Sequence, residues 1–304
     1  MEARKGKKRM KIVVFGSLNI DHTYHVPHML RVGETLSSIS YTRSVGGKGF
    51  NQAVALSRAG AEVCFAGAIG ADGVFLTDYL RQCGVDTSCV HQIDEPTGHA
   101  IISVDTQGNN SILLFGGANQ KITNTMIEEM LEKAEAGDWI LLQNEINEGD
   151  RVIRAAHEKG MQIILNPSPV SRALLGWPLE LVSWMILNEV EGEDITGKRD
   201  PQEILDELLR RYPTCRIVLT LGEKGALYAD SHSRYAQPAC PCEVKDTTAA
   251  GDTFTGYFLH SAAKGEDIPC ALYLAAKAAA IAVSRPGAAI SIPEAGEVMP
   301  GKEA

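Results

Sequence analysis

Three features of the 304-residue sequence predict an α/β domain with a mostly parallel sheet flanked by helices on both faces. Short, continuous apolar runs rich in β-branched residues recur, and each breaks into Gly, Asn, Glu or Pro, as strands buried on both faces do. Helical periodicity fills many of the gaps between them, which is the alternation of a βαβ chain. Two stretches, at about 22–45 and 97–116, break that rhythm and predict insertions that form a small antiparallel β lid.

The elements follow in order. KIVVFGSLNID (11–21) begins as a buried strand and ends in turn-formers. AEVCFAGAIG (61–70), DWILLQNE (138–145), MQIILNPSP (161–169), SWMILNEVE (183–191) and CRIVLTLGEKG (215–225) repeat that design. Helices are expected over 50–59, 73–82, 123–134, 149–159, 200–211, 252–263 and 269–284. Within 22–45, TLSSISYTRSV alternates instead of running apolar, and TGHAIISVDTQGNNSILLFG (97–116) reads as a hairpin across the Gln107–Asn110 turn. One domain is expected over 11–304, with the basic MEARKGKKRM (1–10) a disordered tail or tag remnant. No apolar stretch follows it, so it is not a secretory signal.

Bulk properties exclude several classes. A net charge of −9 with 6% aromatics argues against nucleic-acid binding. No run approaches the roughly 20 apolar residues that cross a membrane. Seven cysteines without a C-x-x-C pair fit reduced thiols and a cytoplasmic protein. Cys240-Pro-Cys242 and the spacing of His22, His25 and His28 both invite a metal reading, but neither has partners nearby in sequence.

The segment richest in chemistry is KDTTAAGDTFTGYFLHSA (245–262), where small residues lead into Asp252 at the start of an expected amphipathic helix. A helix start leaves N–H groups unpaired and carries partial positive charge, so Ala249, Ala250, Gly251 and Asp252 supply amides for an anion. Asp252 reads either as a plain N-cap or as a base, because a carboxylate beside an anion hole suits a reaction better than static phosphate binding. Such a site would hold charge on a migrating phosphoryl group while Asp252 takes a proton from the attacking hydroxyl. G-x-x-x-x-G-K-[ST], G-x-G-x-x-G after the first strand, G-x-S-x-G and H-E-x-x-H are all absent.

GGKGFNQAVALSRAGA (46–61) and DTTAAGDTFTGYF (246–258) together resemble the two signatures of the ribokinase-like (PfkB) carbohydrate kinases, nearest the ribokinases among them. GSLNID, GETL, TG, GAN, LNPSP, LNEVE, LTLGEKG and AAAIAVSRPGA extend the resemblance in the expected order from about 11 to 293.

The resemblance implies a role for each matching residue. Asn19, Asp21, Gly47, Lys48, Gly49, Asn51 and Glu145 match the sugar site, with Asp252 as base and Gly251 beside it in the anion hole. Lys48 has a second reading as a solvated charge. Asn188, Thr220, Leu221, Gly222, Glu223, Lys224, Gly225, Gly251 and Ala276 match the ATP site, and Glu191 matches a Mg²⁺ contact made through water. Asp246, Thr248, Ala282, Arg285, Gly287 and Ser291 match the surroundings of an activating K⁺.

The implied reaction is ATP-dependent phosphorylation of the 5-hydroxyl of D-ribose, with the lid excluding water and clasping a second subunit into a homodimer. The alternatives are another furanosyl substrate (deoxyribose, fructose or a nucleoside) or a catalytically silent sugar-binding regulator. Phe50 departs from the small residue common in the sugar loop, and Ala276 from a frequent polar one. The ring of Phe50 is expected either to reshape the pocket or to pack under the lid.

Overall fold

Alternate residues of the first strand serve opposite layers, which is why its apolar run is continuous. In the computed structural model, which describes residues 10–299, Ile12 and Val14 join one buried core and Val13 and Phe15 the other. Most of the expected tail, residues 1–9, lies outside the described residues.

The chain opens with β1 (Lys11–Phe15), β2 (Asn19–His25), β3 (Ser40–Gly46), α1 (Lys48–Ala59), β4 (Glu62–Ile69), α2 (Val74–Gln82) and β5 (Asp86–Gln92). Next come β6 (Gly98–Val104), β7 (Asn110–Phe115), α3 (Asn124–Glu132), β8 (Trp139–Gln143), α4 (Gly149–Glu158) and β9 (Gln162–Asn166). Then follow β10 (Trp184–Asn188), α5 (Glu189–Thr196), α6 (Pro201–Arg211), β11 (Arg216–Thr220), β12 (Ala226–Ala229) and β13 (Arg234–Gln237). Three helices end the described chain: α7 (Ala250–Ala263), α8 (Ile268–Val283) and α9 (Ala295–Val298).

Nine strands form the main sheet in the order β13-β12-β11-β10-β9-β8-β1-β4-β5. Every pairing from β5 to β11 is parallel, and the β11–β12 and β12–β13 pairings at one edge are antiparallel. From β1 the chain first winds to β4 and β5, then returns to β8 on the other side. That reversal opens a crevice beyond the carboxyl ends of β1 and β8, where open α/β sheets bind ligands.

The smaller sheet has the order β3-β2-β6-β7, with β2–β3 and β6–β7 antiparallel and β2–β6 parallel. It starts at Asn19, three residues earlier than the alternating pattern indicated, so Asn19 and Asp21 lie on its first strand. The face carrying Asp21 also carries Ser44 and Ala100 by register.

Burial around α7 differs from the expected amphipathic helix. Every residue from Asp252 to Ser261 is buried, because α7 is sandwiched between α1 and α8. Gly256 permits the close crossing: a Cβ there would lie 2.4 Å from Ala55 Cβ and 2.7 Å from Leu56 N. One turn earlier on each helix stand Asp252 and Asn51, so this tight crossing sets their separation.

Candidate active site

Two adjoining cavities lie at the carboxyl ends of the strands. The outer one, about 650 Å³, runs between the β11–β12 turn and α8, with Thr220, Gly222, Gly225, Ala276 and Ala280 among its walls. The inner one, about 240 Å³, is lined by Lys48, Asn188, Glu191, Gly251 and Asp252 among others. Thr220, Thr247, Ala250 and Gly251 border both cavities, so the tip of α7 stands at their junction.

Asp252 is not the N-cap of α7. The cap is Ala249, held in the left-handed region at φ 59°, which puts Asp252 three residues into the first turn. Its carboxylate is only 9% exposed and accepts from Asn51 Nδ2 at 3.1 Å and Gln52 Nε2 at 2.9 Å. Asn51 Oδ1 is buried with no hydrogen-bond partner among the described residues.

Beyond β1 and β8 the polar groups converge. Ser17 Oγ donates to Glu145 Oε2, and the backbone N–H of Lys48 donates to the same oxygen at 3.0 Å. Burial pushes the Glu145 carboxyl up, against the Ser17 hydrogen bond and the Lys48 charge. Burial first, and the Glu145 charge second, push Asp21 up to about 7. Burial alone depresses the Lys48 ammonium, but the carboxylates of Asp252, Glu145 and Glu191 outweigh it and hold Lys48 above its ordinary value. Lys48 is therefore not a solvated charge; its side chain enters the inner cavity among three carboxylates.

Asn19 is buried, and its Oδ1 accepts from Asn119 Nδ2 at 2.8 Å. Asn119 also brackets the β1–β2 turn, accepting from Leu18 N at 3.0 Å and donating to Leu18 O at 3.2 Å.

The protein itself accounts for the glycine loop. A Cβ on Gly46 would strike the Asp21 carboxylate at 2.1 Å, and one on Gly49 would sit 2.6 Å from Ser17 N. Gly47, at φ 97°, combines a left-handed backbone with a Cβ position 2.9 Å from Ser17 O. Gly251 differs, since nothing lies within 4 Å of its Cβ position. Phe50 does not narrow the site: its ring is fully buried in the core, 5.6 Å from the Tyr79 ring.

Asn188 and Glu191 form a capping box on α5. Glu191 N donates to Asn188 Oδ1 at 2.9 Å, Asn188 N to Glu191 Oε2 at 3.0 Å, and Asn188 Nδ2 to Glu191 Oε1 at 3.1 Å. The box fixes a buried carboxylate at the wall of the inner cavity, where its remaining lone pairs suit a water-mediated Mg²⁺ contact.

Asp246 ties the two loops of the expected K⁺ site together. Its carboxylate accepts from Thr248 N at 2.9 Å and Gly287 N at 2.8 Å, while its own N–H reaches Val283 O at 3.1 Å. Arg285 pairs with Glu297, Arg285 N donates to Ala282 O at 3.0 Å, and Ser291 Oγ donates to Ala288 O at 2.8 Å. Among the described residues no group of three or more His, Cys, Asp or Glu is placed to hold a metal. The metal readings of the histidines and of Cys240-Cys242 find no such cluster either; His22 Nδ1 lies 2.8 Å from Tyr41 Oη, and His28 pairs with Glu34.

Three residues to which the resemblance assigns no role complete the site: Ser17 and Gln52, which stand inside GSLNID and GGKGFNQAVALSRAGA, and Gln143. Each is a polar residue inside or beside an apolar run (FGSL, GFNQAVAL, WILLQ), and that mismatch is a sequence signal for all three.

The pfkB family carbohydrate kinase profile matches residues 9–295. A ribokinase of Haemophilus influenzae is 33% identical over 305 residues, covering 96% of this chain and 98% of its own. A ribokinase of Bacillus subtilis is 34% identical over 294 residues, covering 94% and 97%. The structure of Arabidopsis thaliana ribokinase complexed with ribose and ATP superposes with a TM-score of 0.84 at 29% identity, covering 95% of this chain and 97% of that one.

Proposed function

The chain belongs to the pfkB family of carbohydrate kinases, and on that premise we propose that it transfers the γ-phosphoryl group of ATP to the 5-hydroxyl of D-ribose, giving ribose 5-phosphate. One observation carries the reading: a buried carboxylate, Asp252, stands beside the helix-tip amides where a polar inner cavity meets a larger outer one. Ribokinase relatives over nearly the whole chain support the sugar.

Asn19, Asp21, Gly47, Lys48, Gly49, Asn51 and Glu145 hold the sugar. The unpartnered Asn51 Oδ1 is an acceptor that a sugar hydroxyl satisfies, while Asp21 and Glu145 accept from others. Asp252 takes the proton of the terminal hydroxyl as that oxygen attacks the γ-phosphorus and the bond to ADP breaks. The first-turn amides of Gly251 and Asp252 have no intrahelical acceptor and receive the charge on the migrating group. Lys48, held cationic among carboxylates, faces the same cavity and orients that charge.

ATP lies in the outer cavity, against Thr220, Gly222, Glu223, Gly225 and Ala276, with Leu221 and Lys224 in the same run and Asn188 on the wall of the adjoining inner cavity. Mg²⁺ bound with ATP and reached through water by Glu191 supplies charge neutralisation on the phosphates. K⁺ between the Asp246–Thr248 and Ala282–Ser291 loops is supported by their direct linkage through Asp246.

The smaller sheet acts as a lid that excludes water, and its exposed Ile112, Leu113, Leu114 and Phe115 support a homodimer through that sheet. Seven free cysteines support a cytoplasmic setting, and no described helix is long and apolar enough to cross a membrane.

A substrate panel of ribose, deoxyribose, fructose, adenosine and pseudouridine, run with ATP and with and without K⁺, tests the reading. Ribose should give the highest kcat/KM and a 5-phosphate product by phosphorus NMR. Preference for a nucleoside would replace the sugar assignment, and no ADP release with any acceptor would make the protein a sugar-binding regulator.

A further inference from the structure

Three buried amides neighbour Asp252: Gln52 and Gln143 in the interior, and Asn166 at the wall of the inner cavity. Gln143 is fully buried, Gln52 is 1% exposed and Asn166 is 8% exposed. Buried amides survive only when hydrogen-bonded, so their partners set their orientation.

The direction of each bond follows from two ends that cannot flip. Asn166 Nδ2 donates at 2.8 Å to the carbonyl of Ile186, which only accepts, so Asn166 turns Oδ1 toward Gln52 Nε2 at 3.4 Å. At the other end, the Asp252 carboxylate accepts through Oδ1, to which Gln52 Nε2 donates at 2.9 Å. Gln52 Oε1 is then left facing Gln143, whose Nε2 donates to it at 2.6 Å. Reversing the Gln52 amide would set its oxygen against two other oxygens and its nitrogen against the Gln143 nitrogen. Gln143 Oε1 ends the chain with no hydrogen-bond partner among the described residues, packed where a Cβ on Gly16 would fall 2.1 Å away.

We propose that Gln52 is a positioning residue for Asp252, with Asn166 fixing the direction in which it acts and Gln143 following from it. The inference rests on the reading of Asp252 as the base. Gln52 holds one carboxylate oxygen and Asn51 the other at 3.1 Å, so the carboxylate plane is set before the sugar arrives. The other charges around it are the Lys48 ammonium and the Glu145 carboxylate, neither of which is hydrogen-bonded to Asp252 among the described residues. The amides thus aim the base while Lys48 balances its charge.

The experiment is a double-mutant cycle on the full chain with ribose and ATP. Gln52→Met should lower kcat about tenfold to thirtyfold while both KM values stay within about threefold, as expected when an aligning contact to a catalytic group is lost. In the Asp252→Asn background the same substitution should cost less than about twofold, because nothing remains to aim. Gln52→Glu keeps the shape and still accepts from Gln143, so it reports on the lost donor even if Gln52→Met fails to fold; its kcat loss should be at least as large.

Wild-type kcat in both Gln52 variants would overturn the positioning role and leave Asp252 as base. An equal loss in the Asp252→Asn background would make Gln52 a packing residue only. Near wild-type turnover of Asp252→Asn alone would instead sink the reading of Asp252 as the base, and the inference with it.

Discussion

Beyond β1 and β8 the site is held by side chains that bond to one another, whereas beyond β11 it is bounded by small residues and open space. At the inner end Ser17 bonds to Glu145 and Asn51 to Asp252, Lys48 N donates to Glu145, and the Asp21 carboxyl and Lys48 ammonium stand beside them. Gly222, Gly225, Ala276, Ala279 and Ala280 are typical of the outer walls. The glycines divide only in part, because Gly225 on the outer wall has φ 101° and a Cβ position 2.0 Å from Gln237 O. Gly46 and Gly49 are required by neighbouring protein atoms, while the Cβ positions of Gly222 and Gly251 meet nothing. The inner end therefore fixes Ser17, Asn51, Glu145 and Asp252 by protein hydrogen bonds, and leaves Asn51 Oδ1 without a partner among the described residues.

The largest expected effect removes the inner carboxylate. Asp252→Ala should lower kcat by about 10²–10⁴-fold with ribose binding retained, the range for a lost general base. Steady-state kinetics together with ribose calorimetry check it, and near-normal turnover would end the role of Asp252.

Paired glycine variants then test whether the two ends differ as described. Gly49→Ala should destabilise the protein by about 1–3 kcal/mol, the cost of overpacking, because its Cβ would meet Ser17 N at 2.6 Å. Gly251→Ala should hold or raise stability, by up to about 1 kcal/mol for Gly to Ala in a helix. It should still lower kcat about 10- to 10²-fold, at or below the loss of one oxyanion donor. Denaturant melts and kinetics on both variants decide this; equal destabilisation would erase the contrast.

That contrast also explains what was legible in the sequence. The continuous runs of β1, β8, β9, β10 and β11 announce buried parallel strands, because both faces of each are covered. β5, β12 and β13 carry too many polar or small residues for such a run and are visible only once paired at the sheet edges. Asp252 and Asn51 stand in motifs and were readable, but their hydrogen bond joins residues 201 positions apart and depends on the Gly256 crossing. Gln52 stands in the same motif as Asn51, but its contact with Asp252 joins residues 200 positions apart and is not written in the motif. The Asn188–Glu191 spacing admits a capping box and a cation contact alike, and the structure shows the box directly.

A smaller effect concerns the charge stored at the inner end. An unfolded Asp titrates near about 3.9, and folded Asp21 near about 7. Between those values the folded state binds the extra proton, so the Asp21 contribution to stability falls as pH rises from about 4 to about 7 and is level above that. Asn carries no such titration. Asp21→Asn should gain stability over the parent above pH 7, and the gain should vanish by about pH 4, with about 1.4 kcal/mol per unit as its ceiling. The ribose KM should rise about tenfold as an acceptor for its hydroxyls is lost. Melts at two pH values with matched kinetics test the trade; a variant less stable at high pH would remove Asp21 as a site of stored charge.

The smallest effect is expected where the two cavities meet. Ala249 takes a left-handed backbone at φ 59°, which costs an L-residue with a Cβ about 1–2 kcal/mol. Ala249→Gly relieves that cost but frees the unfolded chain by about 0.4–1 kcal/mol, so the net gain should be about 0.5–1 kcal/mol. The conformation itself does not depend on the methyl group. Thr253 N and Thr253 Oγ1 each donate to Ala249 O at 2.8 Å, and the preceding loop is tied through Asp246 to Gly287. Turnover should therefore stay within about twofold, since the amides remain placed. If Ala249→Gly melted earlier than the parent, the backbone there would be unstrained; if kcat collapsed while stability rose, the methyl group, and not the hydrogen bonds, would be holding the phosphoryl cradle in shape.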